Sequence, residues 1–313
     1  MNKKKIVAIF ATVAVVATLF AGCGNKKSTT DETKNNTANN TQNEQTTKKD
    51  DTTAKPGAKF KIGLSTDEGG LNDKSFNQAA NEGILRAQKD LGVQYKAIES
   101  HQKEDYAPNL QALALDENDD LTFGVGFQMA QAVTDIAKAN PDKKFAIIDS
   151  VVDLPNVQSL VFKEEEGSFL VGVVAGKMTK TNKIGFIGGK DMPLINKFAA
   201  GFMAGVKTVN PSAKVDIKYA DSFADPNKGY ELAKSQFDTG CDIIYHAAGG
   251  TGLGLFKAAD ELKKQGKDVW AIGVDQDQAV AVPEYKDVIL TSMVKRVDTA
   301  TYESVKELVD GTR

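Results

Sequence analysis

The chain has 313 residues and carries 39 lysines and arginines against 42 aspartates and glutamates, a net charge of −3. That length accommodates about two domains of ordinary size, and the well-mixed charge leaves no basic stripe that would track nucleic acid. The two cysteines, Cys23 and Cys241, cannot build a disulfide framework, and the two histidines, His101 and His246, lack Cys or carboxylate companions at metal-ligand spacing. Neither a metal nor a cofactor is expected.

The first elements are processing signals, not fold. MNKKK is a cationic start, and the 17 residues IVAIFATVAVVATLFAG form an apolar run that ends at Cys23. Small residues directly before that cysteine resemble the bacterial lipoprotein cleavage box, with the usual leucine one place early at Leu19. Residues 1–23 therefore read as a lipoprotein signal peptide and Cys23 as the lipidated new N-terminus, the alternative being an uncleaved anchor. Either puts the mature protein on the extracytoplasmic face of the cell membrane. Acyl chains contribute about 0.8 kcal/mol per buried methylene, so a multiply acylated cysteine anchors firmly. Residues 24–57, rich in Thr, Asn, Lys, Asp and Gln, have no periodic apolar positions. They cannot bury enough surface to offset their ordering entropy and read as a stalk, reaching about 30 Å as a random coil.

From Lys59 onward, short apolar runs alternate with amphipathic segments. KFKIGLST, VQYKAIES, LTFGVG and KKFAIIDS read as strands, and VQSLVF follows as a fifth with no helix before it. Helices are expected at 74–91, 105–115, 128–140 and 164–180. In the first, Phe76, Ala80, Ile84, Ala87 and Leu91 recur three or four apart and share one face, with Asp73 or Ser75 as the N-cap. The alternation resumes with NKIGFIGG, KVDIKYA, CDIIYHAA, DVWAIGVD and VILTSMV. Such alternation implies parallel sheets covered on both faces. Some ten strands are too many for one sheet here, so the expected architecture is α/β with two similar Rossmann-like lobes. The first spans 58–181 plus 296–313 and the second 182–295.

Ligands of open α/β sheets bind beyond the carboxyl ends of the strands, so the residues after each strand are the site candidates. In chain order they include Asp67, Asn72, Asp73 and Phe76; Phe127; Asp149; Asp221 and Phe223; Gly249, Gly250 and Thr251; Asp275 and Asp277; and Lys295. Each aspartate alone could equally be a turn residue or helix cap, and an isolated phenylalanine such as Phe127, Phe198 or Phe223 is more often core. GGTGLG at 249–254 lacks the Lys-Ser/Thr ending of a phosphate loop and has the wrong glycine spacing for a dinucleotide fingerprint. Asp275 and Asp277 could form an acid–base pair, but no nucleophile motif accompanies them. Cys241 reads as a small buried apolar residue.

Several of these segments carry a family resemblance. STDEGGLNDKSFNQAANEG, FAIIDS, KIGFIGG, INKFAAGFMAGV, YADSFADPNKG, HAAGGTG, GVDQDQ and TSMVK resemble the basic membrane protein family, also called purine nucleoside receptor A lipoproteins. The resemblance runs through every strand end of residues 59–313. It implies the type I periplasmic-binding-protein fold of the ribose-binding type, and a monomeric ABC-transporter substrate-binding protein, not an enzyme, that captures purine nucleosides (inosine, guanosine, adenosine) for a permease and its ATPase. Phe76 and Phe223 would then sandwich the purine. Asp67, Asn72 and Asp73 would lie near the base edge. Asp149, Asp275 and Lys295 would hold the ribose hydroxyls with help from backbone at Gly250, and Phe127 and Phe198 would be cleft wall. Two alternatives stand beside this: a sugar or autoinducer receptor on the same fold, and a nucleoside hydrolase. Family members usually continue beyond the helix that ends this chain at Arg313, so the resemblance also implies a fragment.

Overall fold

A computed structural model describes residues 55–313. The expected signal peptide, Cys23 and the stalk up to residue 54 lie outside the described residues. Residues 55–57, read as the end of the stalk, are already part of the first lobe: the Gly57 N–H donates to the Leu91 carbonyl at 2.8 Å.

Ten strands form two five-stranded sheets. The first contains β1 (Lys61–Ser65), β2 (Gln94–Ile98), β3 (Leu121–Val125), β4 (Phe145–Ile148) and β5 (Val157–Leu160). The second contains β6 (Lys183–Gly188), β7 (Lys214–Tyr219), β8 (Ile243–Ala247), β9 (Trp270–Asp275) and β10 (Ile289–Val294). Their orders are β2-β1-β3-β4-β5 and β7-β6-β8-β9-β10, so each lobe repeats one topology with its first strand in second place. Every pairing is parallel. Strands covered on both faces read as continuous apolar runs, and the central strands β3, β4 and β8 are buried at every position.

Nine helices supply the cover among the described residues. On one face of the first sheet, α1 (Phe76–Leu91) packs with α9 (Val297–Asp310), their Ala80, Ile84, Val297 and Val305 meeting Ile62, Leu64 and Phe123. The other face takes α2 (Tyr106–Gln111), which runs on as one wider π turn over Ala112–Asp116, and α3 (Ala130–Ala139). The second sheet is covered on one side by α4 (Glu164–Met178) and α5 (Pro193–Val209), and on the other by α6 (Pro226–Asp238) and α7 (Leu253–Lys264). The single turn α8 (Gln278–Ala281) follows β9. Contact between α4 and α5 is close enough that a β-carbon at Gly205 would stand 2.0 Å from the Phe169 carbonyl oxygen.

That packing moves one boundary. The segment 164–180 was expected with the first lobe, but Val171 and Ala175 of α4 belong to the core built on Phe186, Phe202 and Tyr245 of the second. The chain thus crosses between lobes at 161–163, after β5, and returns at 295–296, after β10. The helix is apolar on more than its buried face, with Leu170 66% exposed, so its own pattern does not say which sheet it covers.

Candidate functional site

The carboxyl ends of both sheets meet around one cavity, with about 510 Å³ of empty space counting what opens to solvent, in the place between lobes where small-molecule sites commonly lie. Of the candidate ligand residues, Asp67, Asp73, Phe76, Asp149, Phe223, Asp275 and Lys295 line it, and so do the expected wall residues Phe127 and Phe198. Asn72 does not: it is exposed and borders a separate surface groove. Gly250 is buried behind the lining, where a β-carbon would stand 3.4 Å from the Phe223 carbonyl oxygen and 3.8 Å from Asp73, and the neighbouring Gly249 lines the cavity instead.

The first lobe's side begins with the turn that starts α1. Ser75 stands at the N-cap position, but its side chain makes no capping bond. Asp73 does that work: its Oδ1 accepts from the Ser75 and Gln78 N–H groups at 2.9 and 3.0 Å, and its Oδ2 from the Asn77 N–H at 2.8 Å. Satisfying orphan donors of the first turn is what an N-terminal carboxylate does best. Asn77 then ties the turn to β1, donating from Nδ2 to Asp67 Oδ1 at 2.7 Å and to Asp73 Oδ2 at 3.1 Å. Asn77 lines the cavity and was missed in the sequence reading; its spacing of four from Asp73, one helical turn, was the available signal.

Asp149 and Asp275 occupy matching places, each closing the fourth strand of its sheet. Both adopt the left-handed backbone conformation, φ 66° and 65°, which costs a non-glycine residue roughly 1 kcal/mol or more and concentrates at functional sites. Between them sits Lys295, on the second crossover. Its Nζ lies 2.5 Å from Asp149 Oδ2 and 3.6 Å from Glu164 Oε1, with the rings of Phe76, Phe162 and Phe198 at 4.9, 5.0 and 5.5 Å. All of these charges are almost fully buried. Burial works against the Lys295 ammonium, but Asp149, Asp275 and Glu164 together outweigh it and hold its pKa up. Burial pushes Asp67, Asp73 and Asp275 up to about 6, against the pull of their hydrogen bonds. Asp149 Oδ1 and Glu164 Oε2 have no hydrogen-bond partner among the described residues.

Phe223 comes from the second lobe, between β7 and α6. It lies close against Gly189, where a β-carbon would stand 2.1 Å from Phe223 Cε1, so only glycine lets the ring settle there. The Phe127 ring of the first lobe meets Phe223 edge-on, at 6.2 Å between centroids and 78° between planes.

The two lobes are in contact around the cavity. Ser75 Oγ donates to Asp275 Oδ2 at 2.5 Å, and Gln278 Nε2 donates to the Lys74 carbonyl at 2.9 Å. Gln278 is itself fixed by the Val274 N–H and by buried His246, whose pKa burial lowers to about 4, so the ring is neutral near pH 7. At the other end, Lys190 of the second lobe pairs with Glu68 and donates to Gln128 Oε1 at 2.8 Å. None of these links between lobes was foreseen. Chemically, the cavity offers aromatic faces from both lobes and, beside them, carboxylate acceptors with a single cation. That combination suits a flat ring carrying hydroxyl donors.

Comparison with known proteins agrees with this architecture. A sequence profile described as "ABC transporter substrate-binding protein PnrA-like", family Bmp, matches residues 60–313. The CD4+ T-cell-stimulating antigen of Listeria innocua is 44% identical over 265 residues, covering 80% of this chain and 73% of that protein. The ABC transporter nucleoside-binding protein BmpA of Lactococcus lactis subsp. cremoris is 36% identical over 326 aligned positions, covering 99% and 85%. Among solved structures, an ABC transporter solute-binding protein from Aeropyrum pernix K1 superposes with a TM-score of 0.75 at 30% identity, over 80% of this chain and 71% of that one. The fold is that of the type I periplasmic binding proteins, and the chain belongs to the Bmp family of PnrA-like ABC transporter substrate-binding proteins.

Proposed function

We propose that this protein is a lipid-anchored extracytoplasmic receptor that captures purine nucleosides and delivers them intact to an ABC permease and its ATPase. The observation that carries the reading is Asp149. Its Oδ1 is a buried acceptor without a partner among the described residues, on a side chain that lines a cavity also presenting Phe76 and Phe223 from opposite lobes. A buried acceptor left unpaired costs about 1–3 kcal/mol, and a ribose hydroxyl is a donor of the right kind. Stacking on aromatic side chains contributes about 1–3 kcal/mol per base. No arginine lines the cavity, which favours nucleosides over nucleotides. A relative 36% identical carries nucleoside binding in its name.

In this reading the family's solute-binding role extends to inosine, guanosine and adenosine, Asp149 and Lys295 hold the ribose, Asp67 and Asn77 face the base edge, and Cys23 carries the lipid. Thermal unfolding with each nucleoside, and with free ribose, tests it. A ligand that binds only the folded state stabilises it by RT ln(1 + [L]/Kd), about 2.7 kcal/mol at a hundredfold excess over Kd. Nucleosides are expected to raise Tm and to be recovered unhydrolysed. A rise with ribose alone would move the assignment to a sugar receptor, and free base appearing on incubation would move it to a hydrolase. For the anchor, Cys23→Ser is expected to release the protein from the membrane fraction; retention there would leave an uncleaved apolar segment as the tether.

A further inference from the structure

The cluster around Lys295 contains one charged group that never touches the cavity. Glu164 opens α4 directly after the first crossover between lobes, is 1% exposed, and is absent from the cavity wall. Lys295 stands on the second crossover. The Glu164–Lys295 approach of 3.6 Å is therefore a charge contact between the two strands of the hinge. Glu164 faces Lys295 and Asp149 from the cluster and Lys197 from α5, whose Nζ lies 3.8 Å from Oε2. Lys295 faces Asp149, Asp275 and Glu164. An ammonium has three donors. Asp149 takes one at 2.5 Å, and with no carboxylate behind it the ammonium would be drawn wholly toward Asp149, the carboxylate assigned to the ribose, and Asp275 beyond it.

We propose that Glu164 is a positioning residue for Lys295: its carboxylate draws the ammonium back toward the hinge, so that Asp149 keeps an oxygen, and Lys295 a donor, for the bound ribose. The inference rests on the nucleoside reading above. It also explains why a carboxylate is tolerated at this depth. A buried charge is stable only when paired, and Glu164 is paired on both sides, with Lys295 of the site through Oε1 and with the half-exposed Lys197 through Oε2.

The test uses the whole mature chain and two readouts. Calorimetry with inosine compares wild type, Glu164→Gln, Lys295→Met and the double variant. Glu164→Gln is expected to weaken inosine about tenfold without changing the inosine-to-adenosine ratio, and to add nothing to Lys295→Met, as expected of a residue acting through another. Glu164→Asp, which keeps the charge, is expected to recover part of the affinity. The second readout needs no ligand: in protein carrying labelled lysine, the Lys295 ammonium is expected to deprotonate at lower pH in Glu164→Gln than in wild type, by NMR titration. Equal affinity in wild type and Glu164→Gln, or losses that simply multiply in the double variant, would overturn the positioning role. Wild type that binds no nucleoside would sink the nucleoside reading instead, and an unmoved Lys295 titration would remove the Glu164 contact whatever the ligand.

Discussion

The two lobes share one topology, and the clearest lesson comes from the position they share most closely. Asp149 and Asp275 end the fourth strands of their sheets with the same left-handed backbone. Their side chains are spent differently. Asp149 holds Lys295 and leaves one oxygen without a partner among the described residues, whereas Asp275 accepts the Ser75 hydroxyl from the other lobe. One aspartate thus keeps an unpaired acceptor, the one the nucleoside proposal gives to the ligand, and the other is engaged in a bond between the lobes.

Asp149→Asn is the strongest way to break that pairing. It keeps the shape but removes the charge that faces Lys295 in a dry site, and breaking a buried pair costs about 3–5 kcal/mol. Nucleoside affinity is expected to fall by two orders of magnitude or more by calorimetry, with a lower Tm for the ligand-free protein. Affinity within a few-fold of wild type would mean that Asp149 serves the fold and not the ligand. Phe223→Ala comes next. Removing one aromatic wall is expected to weaken purine nucleosides by roughly tenfold to a hundredfold and to lower their affinity more than Asp275→Ala alters the order of preference among bases. Unchanged affinity would remove Phe223 from the stack.

A third test uses pH. Asp67, Asp73 and Asp275 titrate near 6 in the folded protein because burial disfavours their charged forms, whereas an unfolded aspartate titrates near 3.9. Between those values the folded state binds more protons than the unfolded one. The stabilisation from these three groups is therefore fully present below about pH 4, falls as pH rises through 6, and is absent above it. A ligand that donates to ionised carboxylates, as the base edge would to Asp67, favours the deprotonated site. Its Tm increment is expected to be larger at pH 7.5 than at pH 5, while the ligand-free protein loses stability over the same interval. A Tm increment independent of pH would show that the aspartates near 6 take no part in binding.

How much of this was legible beforehand follows from which signals are local. The ten strands were readable because strands buried on both faces must be apolar throughout, and the cavity residues because parallel strands end at one edge. Asn72 and Asn77 lie in one polar stretch and differ only in helical phase, which becomes decisive once α1 is known to start at Phe76. Gly249 and Gly250 differ by one position in a tight 3₁₀ turn. The contact between Ser75 and Asp275 joins residues 200 apart in the chain, and no local pattern marks it. Glu164 was hidden in a run of three glutamates, Glu164, Glu165 and Glu166, of which only the first turns inward.

The smallest expected effect compares the two ends of the closed cleft. Ser75 and Asp275 are buried, so their bond is shielded from salt and leaving it unmade strands a buried acceptor. Lys190 and Glu68 are each about a quarter exposed, at 25% and 27%, and partly exposed ion pairs contribute little, about 0–1 kcal/mol. Ser75→Ala is therefore expected to speed nucleoside release about tenfold. Lys190→Met should speed it only two- or threefold, with the difference from wild type shrinking at high salt as the Debye length contracts. Stopped-flow displacement at low and high ionic strength separates the two. If Lys190→Met released ligand faster than Ser75→Ala, the grip of one lobe on the other would lie at the exposed end, and the engagement of Asp275 with Ser75 would be a consequence of closure and not a cause of it.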